Sequence, residues 1–369
     1  MCNDSCGVAV SFVVLAKVES VGQAYSCPII YGTTWGWLSM SRKWTADELQ
    51  EKMRGYGPAC LITAAADLDL FTALGRAPAT AEGLARSIPA DPRATEVLLD
   101  ALAALDLLVK RGDIYEVPPD VAELLTEGSP INILPAVRHH GNCLRRWAQL
   151  ARVVQTGRSA PREPSIRGQT GDCESFIGAM NNFTESVAPE IVAGLMPLRF
   201  QRMLDIGGAS GTWTIAFLLA VPDSTGVLFD LPEVVPLARE RLTRAHLADR
   251  VTLVAGDYNA DDLPGGADFA WLSAIAHQNS REQNRLLYRK IHSALAAGGT
   301  LVIRDIVMDA TKTKPQAGAL FAVNMLVATE GGGTFTLDEF AQDLIAAGFT
   351  NVELVHRADA MDSLIRARK

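Results

Sequence analysis

Apolar residues recur at helical spacing from residue 45 to about residue 128. Thr45 and Glu48 have the spacing of a capping box, which predicts the start of a first helix. A long apolar stretch then opens at Pro58 and predicts one continuous helix through Leu74, which Gly75 ends.

Two further helices and a hairpin follow. Thr80 is a cap for a short helix, and the Asp-Pro pair at 91–92 starts another that runs to about residue 107. Extended apolar segments at 108–110 and 114–117 flank the turn Arg111-Gly112-Asp113, which indicates a β-hairpin. Three helices followed by a hairpin are typical of a winged helix.

The pattern changes twice beyond residue 130. Residues 131–197 predict more helices, broken by a Pro/Ser/Gly-rich segment at 157–171, and they either pack between domains or form a lid or acceptor pocket. From Arg202 onward, short apolar strands alternate with helices, which predicts a parallel sheet wrapped by helices. The predicted strands are 203–206, 226–229, 251–254, 269–272, 300–306, 352–355 and 363–365. Only a short turn separates the last two, so we expect them to be antiparallel.

Charge and cysteine content exclude several classes of function. The net charge of −8 argues against nucleic acid as a partner, and residues 43–130 hold eight basic but fifteen acidic residues, which argues against DNA binding by the winged helix. The six cysteines show no CxxC pair and no metal-ligand spacing. We therefore expect reduced thiols, a cytoplasmic location and no metal site.

The first residues carry no recognisable helix pattern. An apolar run of ten, residues 7–16, is too short to span a bilayer, and no basic residue precedes it as a secretory signal would require. We interpret residues 1–42 as an extension that is disordered or results from a wrongly assigned start, Met40 being a second possible start, and we expect no membrane association.

A glycine-rich turn follows the first predicted strand of the sheet. Small residues there let the backbone approach a ligand, and the next helix presents free amide groups. A dinucleotide site needs glycine at the first, third and sixth positions, but Ala209 and Thr212 occupy the last two. Asp205, Gly207, Ala209 and Gly211 instead satisfy Asp-x-Gly-x-(Gly/Ala)-x-Gly, the form found in methyltransferases that use S-adenosylmethionine (SAM).

Carboxylates follow the next two strands as well. Asp230 ends the second strand, where it can accept bonds from both ribose hydroxyls, and Asp257 follows the third, beside Tyr258. Taken alone, each aspartate is as readily explained by a role in a loop or a helix cap as by cofactor binding. Three carboxylates after three successive strands favour a cofactor site.

The runs LDIGGASGTWTIAFLLAVPDSTGVLFDLPEVV, GDYN, LSAIAHQN and GGGTFTLDEF make residues 45–369 resemble the small-molecule O-methyltransferases that include the caffeic acid and acetylserotonin enzymes and bacterial antibiotic-tailoring relatives. The resemblance implies an α/β, Rossmann-like, seven-stranded SAM methyltransferase domain at 198–369. It also implies an N-terminal all-helical winged-helix dimerisation domain at 43–130 and a homodimer, which leaves 131–197 as a helical linker or acceptor-pocket segment. The apolar helix from Pro58 has more apolar surface than one small domain readily buries, which also favours a dimer.

The motif and the resemblance together give the expected cofactor-binding residues: Asp205, Gly207, Gly208, Gly211, Asp230, Leu231, Asp257, Tyr258 and Ser273.

His277 follows the fourth strand, in a loop before a Ser280/Gln283 capping box. By resemblance it is the general base, with Asp305 as the carboxylate that orients it; the alternative is a structural histidine. The chain departs from the family pattern because Gln278 and Asn279 replace Asp-Trp after the histidine. Thr334 occupies the position of a second carboxylate in the family pattern. Glu330 takes the place of that carboxylate only if the loop differs from the family's.

The acceptor is a small molecule that the sequence does not identify, and aromatic lining would suit a planar ring. The expected lining residues are Trp147, Phe176, Met180, Phe183, Phe321, Asn324 and Met325. Metal-independent O-methylation is the leading interpretation. N- or C-methylation or a non-methylating SAM reaction stays open, followed by a non-catalytic winged-helix protein or an NAD enzyme.

Overall fold

The computed structural model describes residues 43–369, so the interpretation of residues 1–42 lies outside the described part. Contacts divide the chain after residue 50, and residues 51–369 form one compact unit. The boundaries at 130 and 197 therefore stay predictions. Before the division, the Thr45 hydroxyl accepts from the Glu48 amide, and the Glu48 carboxylate accepts from the Thr45 amide, which confirms the first capping box.

The described residues form fifteen α-helices: α1 (Ala46–Arg54), α2 (Tyr56–Asp67), α3 (Leu70–Arg76), α4 (Ala81–Ser87), α5 (Pro92–Ala104), α6 (Pro119–Leu125), α7 (Leu134–Trp147), α8 (Leu150–Thr156), α9 (Gly168–Thr184), α10 (Ala188–Gly194), α11 (Thr212–Ala220), α12 (Val235–Arg244), α13 (Arg281–Ala294), α14 (Gln316–Ala328) and α15 (Leu337–Ala346). They also form twelve strands: β1 (Ala79–Thr80), β2 (Val109–Arg111), β3 (Ile114–Glu116), β4 (Arg202–Ile206), β5 (Thr225–Asp230), β6 (Val251–Ala255), β7 (Ala267–Ser273), β8 (Leu295–Asp305), β9 (Val307–Met308), β10 (Phe335–Thr336), β11 (Thr350–His356) and β12 (Ser363–Arg368).

Seven strands form the main sheet in the order β11-β12-β8-β7-β4-β5-β6. Strands β4 to β8 are parallel, and β12 is antiparallel to both β8 and β11, which confirms the predicted sheet and its final hairpin. The chain leaves β4 toward β5 on one side and returns to β7 on the other. Open α/β sheets bind ligands at such a switch point, at the carboxyl ends of the strands.

Both faces of this sheet are buried, as a parallel sheet requires. Leu204, Val227 and Ile303 pack on one face against α13 and α15. Met203, Phe269 and Trp271 pack on the other face against α10, α11 and α12. The two helix layers hold the strand ends rigidly, so that groups following β4, β5, β7 and β8 keep fixed mutual positions.

The predicted continuous helix from Pro58 to Leu74 is wrong, because the chain breaks between α2 and α3. Asp69 adopts a left-handed backbone with φ of 57°. The Arg138 guanidinium of α7 donates to the Ala66 carbonyl and to Asp69 Oδ1, both at 3.0 Å, and so fixes the break. Much of the apolar stretch is buried within this chain: Ala65, Ala66, Leu70 and Phe71 share a core with α5.

The small sheet near residue 110 contains the predicted hairpin. β2 and β3 pair antiparallel, and β1, which the pattern did not predict, adds a third strand beside β3. The predicted caps at Thr80 and Asp91 are present, each accepting a backbone amide three residues on. The N-terminal region is therefore helical with a three-stranded β-sheet rather than all-helical.

Four helices, α7 to α10, fill residues 131–197, as expected, although α9 begins at Gly168 inside the Pro/Ser/Gly-rich segment. Within residues 43–369, no individual helix has the length and apolar composition for a membrane crossing, while one bent pair, Ala46–Asp67 with Leu70–Arg76, meets the criteria on those grounds alone.

Candidate active site

The turn between β4 and α11 is built from residues that leave no room for side chains. Gly207, Ala209 and Gly211 have φ of 67°, 47° and 82°. A Cβ on Gly207 would lie 2.7 Å from Ile275 Cδ1, and one on Gly208 would lie 2.6 Å from Leu228 Cγ. The turn therefore requires glycine for both conformation and space, and α11 begins directly after it.

Asp230 closes this turn from the neighbouring strand. Its Oδ2 accepts from the Ala209 amide and its Oδ1 from the Leu231 amide, both at 2.7 Å. Burial raises the pKa of Asp230, while the two backbone donors lower it. Each carboxylate oxygen keeps a further lone pair that can accept a ligand hydroxyl.

Asp205 lies under the turn rather than on its open side. The side chain is 1% exposed, and Oδ2 accepts from the Thr214 hydroxyl of α11 at 2.6 Å. Burial raises the pKa of Asp205 to about 7. Its position indicates that Asp205 supports the turn, in contrast to the direct cofactor contact expected from the sequence.

The other expected cofactor residues surround the same strand ends. Leu231 is exposed directly after Asp230, and Tyr258 packs against the sheet core. The Asp257 carboxylate accepts from the Asn259 amide at 2.8 Å, and Lys290 donates to three carbonyls of this loop. The Ser273 hydroxyl accepts from Arg304 at 3.1 Å, so part of its bonding capacity is already used.

A polar network that the sequence did not reveal links α9 and α12 to the turn. Arg241 donates to the Ser210 and Thr212 hydroxyls at 3.0 and 3.1 Å, and to Glu185 at 3.1 Å. The Thr212 hydroxyl also donates to Asn181 of α9 at 2.9 Å. These groups are far apart in sequence, and no local motif marks them.

These features fit a cofactor with ribose hydroxyls and a flexible polar tail. The turn admits close backbone approach, the N-terminus of α11 presents amide groups, and Asp230 supplies an acceptor at the end of β5. Among residues 43–369 no cluster of three or more His, Cys, Asp or Glu is placed to hold a metal ion.

His277 and Asp305 meet at the ends of β7 and β8. The Nδ1 of His277 lies 2.9 Å from Oδ1 and 3.1 Å from Oδ2 of Asp305. The backbone amides of His277 and Ile306 donate to the same carboxylate at 3.2 and 2.8 Å. Both side chains are buried, at 7% and 1% exposure, and Phe321 packs edge-on against the imidazole at 4.8 Å. Asp305 is therefore the carboxylate that contacts His277.

Neither Thr334, at the position of the second family carboxylate, nor Glu330, its possible substitute, is seen to contact the imidazole. Thr334 donates from its hydroxyl to the Gly318 carbonyl, and Glu330 is exposed. The loop between them packs on the histidine instead: the Gly333 amide donates to the His277 carbonyl at 2.9 Å. The predicted Ser280/Gln283 capping box is present and starts α13 just after this segment.

Helices α7, α9 and α14 carry the expected acceptor residues. The Trp147 indole donates to Asn324 Oδ1 at 2.9 Å, which joins α7 to α14. Phe176 and Phe183 are each about 40% exposed and pack edge-on against His139 and His140. Met180 is half-buried, and Met325 is 6% exposed. α14 thus contacts His277 through Phe321 and Trp147 through Asn324, whereas Phe176 and Phe183 of α9 lie against α7.

Comparison with known families gives two matches. Residues 150–350 match the family described as O-methyltransferase domain, and residues 53–127 match the one described as O-methyltransferase dimerisation domain.

Curated relatives cover most of the chain. The 3-hydroxy-5-methyl-1-naphthoate 3-O-methyltransferase of Streptomyces sahachiroi is 31% identical over 80% of this chain and 87% of its own length. The tetracenomycin polyketide synthesis 8-O-methyl transferase of Streptomyces glaucescens is 31% identical over 88% and 96%. An N,N-dimethyltransferase of Streptomyces rimosus is 28% identical over 87% and 94%.

Solved structures share the fold. The methyltransferase PigF, an enzyme of Serratia sp. solved with S-adenosylhomocysteine (SAH), has a TM-score of 0.77 at 27% identity and covers 88% of this chain and 100% of its own. Human N-acetylserotonin methyltransferase in complex with SAM has a TM-score of 0.74 at 24% identity, covering 90% and 99%.

Proposed function

The chain belongs to the O-methyltransferase family and uses SAM, and on that premise we propose that it methylates a hydroxyl of a small aromatic molecule with His277 as general base. The observation that carries the proposal is the contact of 2.9 Å between His277 Nδ1 and Asp305 Oδ1.

The strand ends at the switch point hold the cofactor in this proposal. Bound SAM supplies a methyl group already activated on a sulfonium sulfur. The Asp230 carboxylate accepts the ribose hydroxyls, and the turn of Gly207, Gly208 and Gly211 lets the backbone approach. Asp257, Tyr258, Leu231 and Ser273 would hold the adenine side, while Asp205 supports the turn through Thr214.

The buried dyad prepares His277 to accept a proton. A carboxylate only accepts hydrogen bonds, so Asp305 favours the tautomer with hydrogen on Nδ1 and a free lone pair on Nε2. Three further constraints fix the ring: the His277 amide on Asp305, the Gly333 amide on the His277 carbonyl, and Phe321 against the ring. Nε2 then takes the acceptor hydroxyl proton as the oxygen attacks, and Asp305 stabilises the resulting imidazolium.

The dyad favours an oxygen acceptor over a nitrogen one. A phenolic hydroxyl must lose its proton to become a good nucleophile, whereas a neutral amine attacks through its own lone pair. One relative is an N,N-dimethyltransferase by name, so amines form the second class of acceptor to test.

An aromatic acceptor agrees with the residues around the dyad and with two relatives. The names of those relatives refer to a naphthoate and to tetracenomycin polyketide synthesis. Phe321 and Trp147 offer flat apolar surfaces, and Asn324 fixes the Trp147 indole. Phe176, Met180, Phe183 and Met325 would complete the lining.

Methyl transfer from labelled SAM to matched hydroxy- and amino-naphthalenes tests the proposal. We expect labelled methyl ether from the hydroxyl compounds, at least 100-fold less with His277→Ala, at unchanged SAH affinity. Transfer to the amines alone, or full activity of His277→Ala, would refute the assignment.

We further propose a cytoplasmic homodimer formed through the N-terminal region. The dimerisation-domain match covers residues 53–127, where Met53, Val97 and Ile114 are exposed. The free thiols of Cys60, Cys143 and Cys173 agree with a reducing compartment. Light scattering should give twice the mass of the chain, and a Val97→Asp/Ile114→Asp variant should give the monomer. A monomeric wild type at micromolar concentration would refute the dimer.

A further inference from the structure

The segment from residue 145 to residue 167 is strongly basic in an acidic protein. It contains six arginines and a single acidic residue, Glu163, whereas the whole chain has a net charge of −8. One of its arginines is matched by an acid: Arg145 lies 3.5 Å from Asp67. The segment includes the last turn of α7 and the whole of α8, so its charge lies beside α14, which contacts both helices.

Five of these arginines have no ion pair and no side-chain hydrogen bond among residues 43–369: Arg146, Arg152, Arg158, Arg162 and Arg167. Burial and the positive charge of Arg162 lower the pKa of Arg146. Asp172 also acts on Arg146, but both of its oxygens already accept from Ser165. Asp172 is thus an acidic group near Arg146, but no carboxylate forms a direct ion pair with any of these arginines within residues 43–369.

Two of these five, Arg152 and Arg158, line a surface cleft of about 460 Å³. Gln149, Thr156 and Ser159 add polar groups to the lining, and none of the lining residues is acidic. A cleft of this volume accommodates a small organic molecule, for which sites of roughly 300–1,000 Å³ are usual. Arginine is suited to carboxylates because its planar guanidinium donates two parallel hydrogen bonds.

The floor of the cleft packs against α14, the helix that also carries Phe321 beside His277. Val153 and Ala160 are buried against Val327 of α14, and the Ala160 amide donates to the Val327 carbonyl at 3.0 Å. Trp147 packs in the same cluster. α14 itself contains no charged residue to neutralise the arginines. Along α14, Val327 follows Phe321 by six residues, a rise of about 9 Å.

We propose that Arg152 and Arg158 bind a carboxylate carried by the acceptor, so that the substrate is an aromatic hydroxy acid whose hydroxyl faces His277 while its acid group reaches the cleft. The proposal rests on the proposed function, since it assigns the opposite end of the same acceptor. Because Phe321 and Val327 are separated by about 9 Å along α14, the acceptor must be long enough to span two or more fused rings.

The affinity gain comes from charge-assisted hydrogen bonds at a partly solvated site. Such bonds are stronger than neutral ones, but salt screens them where the cleft is open. We therefore expect at least tenfold tighter binding of a ring carboxylate than of its neutral analogue at low ionic strength, and a smaller ratio at high salt.

Calorimetric titration of the full chain saturated with SAH tests this, with 6-hydroxy-2-naphthoate and 2-naphthol as a matched pair of probes, because the hydroxyl and the carboxylate of the first lie at opposite ends of two fused rings. Wild type should prefer the carboxylate at least tenfold. The double variant Arg152→Met/Arg158→Met should lose that preference to within about twofold while binding SAH as before. Arg289→Met, which removes an exposed positive charge from α13, is the matched control and should retain the preference.

Each other outcome refutes the assignment. Absence of a preference in wild type, including binding of neither probe, or a preference that survives in the double variant, excludes the two arginines as the recognition site. Inorganic phosphate is titrated alone as a further arm: if it binds while the carboxylate shows no advantage, the cleft holds free anions and not the acceptor. Failure of SAH itself to bind would instead overturn the proposed function.

Discussion

Gly332 packs against the carbonyl oxygen of His277 so closely that a Cβ at Gly332 would overlap that oxygen and the Thr329 hydroxyl. The glycine-rich loop after α14 therefore packs on the His277 carbonyl, while Asp305 accepts from the His277 amide. Gly333, the next residue, has no atom within 4 Å of a Cβ placed on it.

This difference predicts unequal effects of two conservative changes. Gly332→Ala should displace the His277 loop, lowering methyl transfer at least tenfold and the melting temperature by several degrees. Gly333→Ala adds the same methyl group and keeps the amide that bonds the His277 carbonyl, so it should behave as wild type. Equal behaviour of the two variants in activity and melting assays would show that loop packing does not position the histidine.

Variants of the dyad should separate chemistry from binding. His277→Ala should lower kcat by roughly 10²- to 10⁴-fold, the usual contribution of general-base catalysis. Asp305→Asn should also lower kcat, because an amide can donate to Nδ1 and favour the wrong tautomer. Calorimetry should show unchanged SAH affinity for both, and a large loss of that affinity would point to a structural role instead.

The cofactor assignment predicts a specific role for Asp230. Asp230→Ala removes the acceptor of the Ala209 and Leu231 amides and the proposed partner of the ribose hydroxyls, so SAH binding should weaken at least tenfold. Asp223→Ala, an exposed aspartate on the turn before β5, serves as the control and should bind SAH normally. Tight SAH binding by Asp230→Ala would place the ribose elsewhere.

The Arg241 network predicts that α9 and the cofactor turn are stabilised together. Arg241→Met removes the bonds to Ser210, Thr212 and Glu185, so SAH affinity should fall several-fold and α9 amides should exchange hydrogen faster. Arg244→Met on the same helix loses only an exposed pair with Glu240 and is the control. Unchanged exchange of residues 168–184 in Arg241→Met would show that the network does not hold α9.

Asp205 predicts a pH dependence of stability. Burial raises its pKa from 3.8 to about 7. Between these values the folded protein holds a proton that the unfolded chain has lost, so the contribution of this group to the free energy of unfolding falls as pH rises from about 4 to about 7. Asp205→Asn cannot ionise and keeps an acceptor for Thr214.

As pH rises from 5 to about 7, Asp205→Asn should therefore lose less thermal stability than wild type. Melting curves across that range check this, with exposed Asp223→Asn as the control. A parallel decline in wild type and Asp205→Asn would mean that Asp205 is ionised in the folded protein throughout.

Local patterns in the sequence determined the fold of the catalytic region. The sequence predicted the seven strands of the sheet, five of them parallel and the last two forming an antiparallel hairpin. It could do so because apolar periodicity, turn conformation and helix caps depend on residues that are close together in the chain. The cofactor turn could be placed for the same reason: only small residues fit it.

Tertiary structure decided what depends on distant residues. The break at Asp69 is fixed by Arg138, which lies 69 residues later, so the helical pattern alone predicted one helix. Asp305, and not Glu330, contacts His277 because β7 and β8 are neighbours in the sheet. The Arg241 network and the cleft beside α14 likewise consist of side chains that the packing of helices brings together. Their spacing in the sequence does not predict these contacts.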